Sequence, residues 1–153
     1  MNWLYDLITN PFLITGVSSW FFAQVIKTII HCAMTKKFEW ERLIGDGGMP
    51  SGHSATVTSL AMMCGLVYGT GSHEFAVTFI LAIIVCHDAT GVRLETGKQA
   101  VIINELMETI HILTEKAKPE EKLKEFVGHT PIQVIAGVLI GIINAVIMYN
   151  ILL

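Results

Sequence analysis

The sequence predicts an all-α integral membrane helical bundle: four transmembrane helices, with an amphipathic helix between the third and the fourth. Three observations lead there. Hydrophobic residues make up 52% of the 153 residues and charged residues only 15%, and the apolar residues come in long blocks, the pattern of a chain built for a bilayer. Short runs of Gly, Pro and polar residues separate the blocks and punctuate helices. Nine of the ten basic residues fall into two of the connections, an asymmetry that orients spans. A chain of this length reads as one domain, 1–153.

The elements follow in order. Met1–Asn10 carries Trp3 and Tyr5, aromatic residues suited to a membrane interface. The first span, 11–34, has 24 residues; at ~1.5 Å per residue they cross a ~30 Å hydrocarbon core. Within it Gln24, Lys27 and His31 are spaced by three and four and so share one helix face. A lysine in a span is costly unless it faces protein, water or a counter-ion; the plainer alternative is that Lys27, near the helix end, snorkels to the surface. Residues 35–49 form a polar connection with Lys36, Lys37, Arg42 and the interface anchor Trp40. The second span, 51–69, is short, and a tight turn at 70–73 leads into the third, 74–93. The end of the third span carries His87, Asp88, Gly91 and Arg93, followed by Glu95, Gly97, Lys98 and Gln99. An aspartate at that depth needs a partner; Arg93 or Lys27 would serve, and such a pair could do no more than fix helix packing.

From Lys98 to Lys116, Val101, Ile102, Leu106, Ile110 and Leu113 alternate with Asn104, Glu105, Glu108, His111 and Glu115. This segment is too polar to span and reads as an amphipathic helix lying on the membrane or on the other helices. Residues 117–121 make a solvated turn into a short helix ending near Phe126. Thr130 then suits an N-cap and Pro131 a first helical residue, opening the last span, 131–153. His73 and His111 read as surface histidines. Cys32, Cys64 and Cys86 all lie in apolar blocks and read as small buried hydrophobes rather than a disulfide framework or a zinc site. The N-terminus has neither a basic n-region nor a small-residue cleavage site, so no removable signal peptide is expected.

Charge sets the topology. Lys36, Lys37 and Arg42 sit in the first connection; Arg93, Lys98, Lys116, Lys118, Lys122 and Lys124 sit in and around the third. The positive-inside rule places both in the cytoplasm and both termini outside, which four spans satisfy. It also puts residues 36–53 and 93–129 on one face of the membrane, the cytoplasmic one, and suggests the cell membrane as the location. A net charge of −3 is too small to point to nucleic acid.

The residues with chemistry to offer gather at that face. Gly47-Gly48-Met49-Pro50-Ser51-Gly52-His53-Ser54-Ala55 precedes the second span. Its glycines let backbone N–H groups approach a ligand, Pro50 suits the lead-in to a helix, and the first-turn N–H groups and serine hydroxyls can hold an anion. His53 is then a titratable group beside that anion. The plainer reading is a tight turn capping a membrane helix, with His53 at the headgroups. His129 stands in the same relation to the last span.

These stretches carry a resemblance. Pro50-Ser51-Gly52-His53 is similar to the P-S-G-H motif of the type 2 phosphatidic acid phosphatase superfamily, which includes vanadium haloperoxidases, and His129 to Gly137 resembles its last motif, H-x-P-x-D-V-x-A-G. More closely, the chain resembles the small divergent branch of that superfamily through Ala23-Gln24-Val25-Ile26-Lys27, Gly47 to Ala55, Asp88 to Arg93 with Gly97-Lys98-Gln99-Ala100, and Gly128-His129-Thr130-Pro131. The resemblance implies that His129 attacks phosphorus to form a phosphohistidine, that His53 protonates the leaving oxygen, and that Ser51 and Gly52 hold phosphate oxygens. Such chemistry needs an attacking nitrogen, a proton for the leaving group and fixed positive charge around the equatorial oxygens; cationic side chains and helix N-termini supply that charge without a metal, and no cofactor is expected.

The chain departs from the motifs at three places. Gln133 stands where the family has an aspartate, and could accept an N–H from His129 without stabilising its charge. Leu123 falls where an arginine is usual, and the first motif is absent as written. Lys27, Arg93 with Lys98 behind it, and Asp88 are the available substitutes. The expected activity is hydrolysis of a lipid phosphomonoester or diphosphate, the lipid following from a site at helix ends near the headgroups. Two other readings stand beside it: a catalytically inactive protein that binds lipid phosphates or serves as a scaffold, to which Gln133 lends weight, and a small transporter with Lys27, Asp88 and Arg93 along a path, for which four spans would need a homodimer.

Overall fold

In the computed structural model, residues 2–36, 38, 47–114, 122–123 and 128–153 are described. They form six helices and, among the described residues, no strand: α1 (Trp3–Ile8), α2 (Pro11–Thr35), α3 (Gly52–Tyr68), α4 (His73–Thr90), α5 (Val92–Thr114) and α6 (Pro131–Leu152). The interface anchor Trp40, the basic residues Lys37, Arg42, Lys116, Lys118 and Lys124, Glu115, and the expected turn at 117–121 with most of the helix after it lie outside the described residues.

Local chemistry sets the helix starts. Asn10 caps α2, its side-chain oxygen accepting from Phe12 N at 2.9 Å and Leu13 N at 3.2 Å, with Pro11 at the first helical position. Ser51 caps α3 by accepting from Ser54 N at 3.3 Å, and Ser72 caps α4 by accepting from Phe75 N at 3.2 Å. Each cap satisfies at least one donor that a helix N-terminus leaves orphaned.

The bundle is assembled around α3, which packs against α2, α4 and α6. The interior holds small and weakly polar side chains: Ala23, Ala55, Ala145, Ser19, Ser54, Ser59 and Thr15 are all at 0% exposure. Large apolar residues such as Phe21, Ile29, Ile84, Ile143 and Ile147 face outward. In lipid, apolar burial gives helices little reason to associate, so small residues that permit close approach and polar groups that bond across helices do it instead. Gly137 and Gly141 of α6 show the first device. A Cβ on Gly137 would collide with the Ser51 carbonyl, and one on Gly141 would lie 2.5 Å from the Ala55 carbonyl oxygen. Asn144 shows the second: its Nδ2 donates to Thr15 O at 3.2 Å and Ser18 Oγ at 2.9 Å, tying α6 to α2.

Among the described residues, three stretches are long and apolar enough to cross a membrane: Pro11–Thr35, His73–Leu113 and Pro131–Leu152. The expected second span is the 17-residue α3, which rises about 25 Å against a core of about 30 Å. The expected third span is shorter than 74–93. α4 ends at Thr90 and Gly91 departs from helical backbone, so Arg93 belongs to α5. The amphipathic helix correspondingly starts at Val92 rather than Lys98, and among the described helices it packs against α4 alone. The N-terminal aromatic segment is the short α1, with Trp3 and Tyr5 exposed. Of the cysteines, Cys64 is buried, Cys32 and Cys86 are half-buried, and all three are free thiols.

Candidate functional site

Three segments distant in the chain meet at one end of the bundle, and backbone hydrogen bonds tie them. Ser51 N donates to Gln133 O at 3.0 Å, joining the start of α3 to the first turn of α6. His129 N donates to Ala89 O at 2.9 Å, joining the segment before α6 to the end of α4. Gly128, at φ +86°, lies against the Arg93–Leu94 peptide, where a Cβ would come 2.5 Å from the Arg93 carbonyl carbon. Only a residue without a side chain fits both that backbone angle and that space.

These ties bring the two histidines together. The ring centroids of His53 and His129 stand 6.2 Å apart with the planes at 74°. His129 is 2% exposed, whereas His53, the second residue of α3, is half-buried. A phosphorus about 3–3.5 Å from one ring nitrogen and an oxygen about 2.6–3.2 Å from the other suit rings at this separation.

The face carried by α2 turns toward the same place. Lys27 is 4% exposed, so it does not snorkel to water. Its Cγ and Cδ pass 3.6 Å from the position a Cβ would take on Gly48. Gly48 has φ +82°, a backbone conformation that favours glycine. Gln24 is 5% exposed, with Nε2 3.7 Å from the Cβ position of Gly52; Trp20 covers the same glycine at 3.3 Å. Gln24 Oε1 is buried with no hydrogen-bond partner among the described residues, and a buried acceptor of that kind calls for a donor from water or ligand. Sequence spacing puts Gln24 beside Lys27 without marking it as a site residue; its significance comes from Gly52, which is remote in sequence.

The remaining expected residues are placed as follows. The Ser51 hydroxyl accepts from Ser54 N and from Ser54 Oγ (3.0 Å), and its backbone N–H is spent on Gln133. Of the Ser51–Gly52 pair, Ser51 therefore has its backbone donor committed to α6. Gln133 does not need His129 as a partner: its Oε1 accepts from Thr130 N at 3.0 Å, because a glutamine at the third helical position reaches back to the cap residue. Asp88 Oδ2 accepts from Arg93 Nε at 2.6 Å, the side chains being 41% and 45% exposed. This is the pairing that the sequence allowed as purely structural. Lys98 Nζ meets Glu95 Oε1 at 2.7 Å with both side chains about 60% exposed. Leu123, at the position where the superfamily has an arginine, is pinned by Asn104, which bonds both its N–H and its carbonyl at 3.0 Å. Exposed ion pairs contribute little, so Asp88→Asn should lower the unfolding free energy by less than about 1 kcal/mol, read by thermal denaturation in detergent.

A sequence model of the divergent PAP2 family matches residues 8–144. The uncharacterized membrane protein YuiD of Bacillus subtilis (strain 168) is 40% identical over 152 residues, covering 94% of this chain and 96% of its own. No solved structure matches the chain.

Proposed function

The chain belongs to the divergent PAP2 family of membrane proteins, and on that premise we propose that it is a membrane phosphatase acting on a lipid phosphate, a monoester or a diphosphate. The observation that carries this reading is the pair of imidazoles, His53 and His129, 6.2 Å apart beside a buried lysine face. His129 is the nucleophile. One of its ring nitrogens forms a bond to phosphorus while the bond to the lipid oxygen breaks, and His53 gives that oxygen its proton. Water then attacks phosphorus, passes a proton to His53 and releases phosphate as the N–P bond breaks. Lys27 and the Gly52 N–H stabilise the charge on the equatorial oxygens, where fixed donors in a water-poor site act most strongly. Arg93, whose backbone lies against Gly128, and Lys98 are the further cations available to the phosphate. With α3 as a short fourth span, the distribution of basic residues supports a site at the cytoplasmic face of the cell membrane.

The test is phosphate release from a panel of lipid phosphates by the purified protein, with vanadate as a mimic of the five-coordinate transition state. Lys27→Met should weaken vanadate inhibition by about 10- to 100-fold, the worth of one charged hydrogen bond. Unchanged inhibition would remove Lys27 from the anion site. A second reading, a lipid-phosphate-binding protein without turnover, draws support from Gln133, which carries no charge and serves α6 as a cap. Tight binding of lipid phosphates with no release from any of them would favour it.

A further inference from the structure

A groove leaves His53, one of the histidine pair, along the outside of the bundle. It has a volume of about 460 Å³, within the range of small-molecule sites. α2 and α3 form its long walls through Gly16, Val17, Val57 and Leu60, and Val85 of α4 adds a third side. His53 and Trp20 stand at one end and Phe12 at the other. The Phe12 ring is stacked on Tyr68, with centroids 5.3 Å apart and planes at 7°, so that end has an aromatic stop. From Trp20 to Phe12 is eight residues of α2, about 12 Å of helix rise. Thr56 is in the wall, but its hydroxyl donates to Gly52 O at 2.8 Å, and its methyl stands 3.7 Å from the Cβ position of Gly16. Apart from His53 and the Trp20 indole at its end, the groove therefore presents hydrocarbon.

We propose that this groove holds the hydrocarbon tail of the lipid phosphate and that the Phe12–Tyr68 stack sets how much of the tail it accepts. The identity of the head rests on the phosphatase reading above. The charge pattern argues for one molecule along the whole path: His53, which lines the groove, also faces His129, a pair suited to a phosphate, and the walls beyond His53 suit only an apolar chain. Ordinary bilayer lipid would lack the anchored head. A tail longer than the groove must turn out sideways into the membrane at Phe12, so further carbons add nothing to binding beyond that point. Gly16 keeps the groove open at its middle, because a leucine there would project into the space the tail needs while its Cβ touches the Thr56 methyl without strain.

The experiment uses the full chain in nanodiscs with a series of single-chain alkyl phosphates from hexyl to hexadecyl. The rate should climb with chain length and then level off. Phe12→Ala should move the plateau to longer chains. Gly16→Leu should lower the ratio of dodecyl to hexyl turnover by about tenfold or more, as burial of a few methylenes is lost. A plateau unmoved by Phe12→Ala, or a ratio unaffected by Gly16→Leu, overturns the proposal. A second measurement does not need turnover: a dodecyl phosphate carrying a mid-chain diazirine should label the Gly16–Val17 and Leu60 regions at least several-fold more than the matching alcohol in the same nanodiscs. Equal labelling means that the groove is merely bathed in bulk lipid, and the proposal fails. If no phosphate is hydrolysed but selective labelling persists, the phosphatase reading falls while the tail groove stands.

Discussion

Replacing His129 with asparagine is expected to lower lipid-phosphate hydrolysis about a thousandfold or more, since removing a nucleophile removes the covalent route as a whole. The informative companion is His53→Asn. On the proposed mechanism this change costs about 10²- to 10⁴-fold on a lipid substrate, the usual worth of a general acid, and much less on p-nitrophenyl phosphate, whose leaving group departs without a proton. His129→Asn should be rescued by neither substrate. Equal losses for both variants on both substrates would mean that the pair holds the site together rather than dividing two tasks. Because His129 is buried, the melting temperature of each variant should be measured beside its activity. The proposal fails if His129→Asn remains folded and keeps wild-type turnover.

Gly137→Ala is expected to damage both the fold and the site. The added methyl would overlap the Ser51 carbonyl and lie 3.1 Å from the Ser54 Cβ. A backbone carbonyl cannot swing aside as a flexible side chain can, so α3 and α6 must separate. Overpacking of this kind costs about 1–3 kcal/mol, visible as a lower melting temperature. The activity loss should exceed what the lost stability explains. Ser51 N–H bonds Gln133 O across this same contact, and a shift of about 1 Å in a reacting group can cost about 10²-fold. Gly71→Ala is the control, because its Cβ would meet no atom within 4 Å. If Gly137→Ala melts and turns over like Gly71→Ala, the close approach of the two helices is not holding the site.

Much of the fold is legible because membrane helices announce themselves through long apolar blocks, and because Thr130 and Pro131 mark the start of the last helix. The shared face of Gln24 and Lys27 is legible from their spacing of three. The break at Gly91 is not: residues compatible with a helix stand on both sides of it, and periodicity alone cannot tell a helix that bends from one that goes on. Nor can the partners of Asp88 and Gln133 be read. Asp88 has two cations within plausible reach, and the choice of Arg93 depends on where α4 ends. Gln133 reads as a replacement for a missing charge, whereas its position three residues into a helix gives its side chain a nearer donor in Thr130. The meeting of His53 with His129 follows from topology and motif resemblance; its distance depends on backbone bonds among residues 51, 89, 129 and 133, which no local pattern encodes.

Those same backbone bonds bear on how a cycle of the proposed phosphatase would run. Two main-chain links and one glycine contact fasten three termini to each other before any ligand arrives, so the proposed centre has little reorganisation left to undergo. On that footing, speed would be governed by traffic: how quickly a spent lipid drifts off sideways and the next one takes its berth.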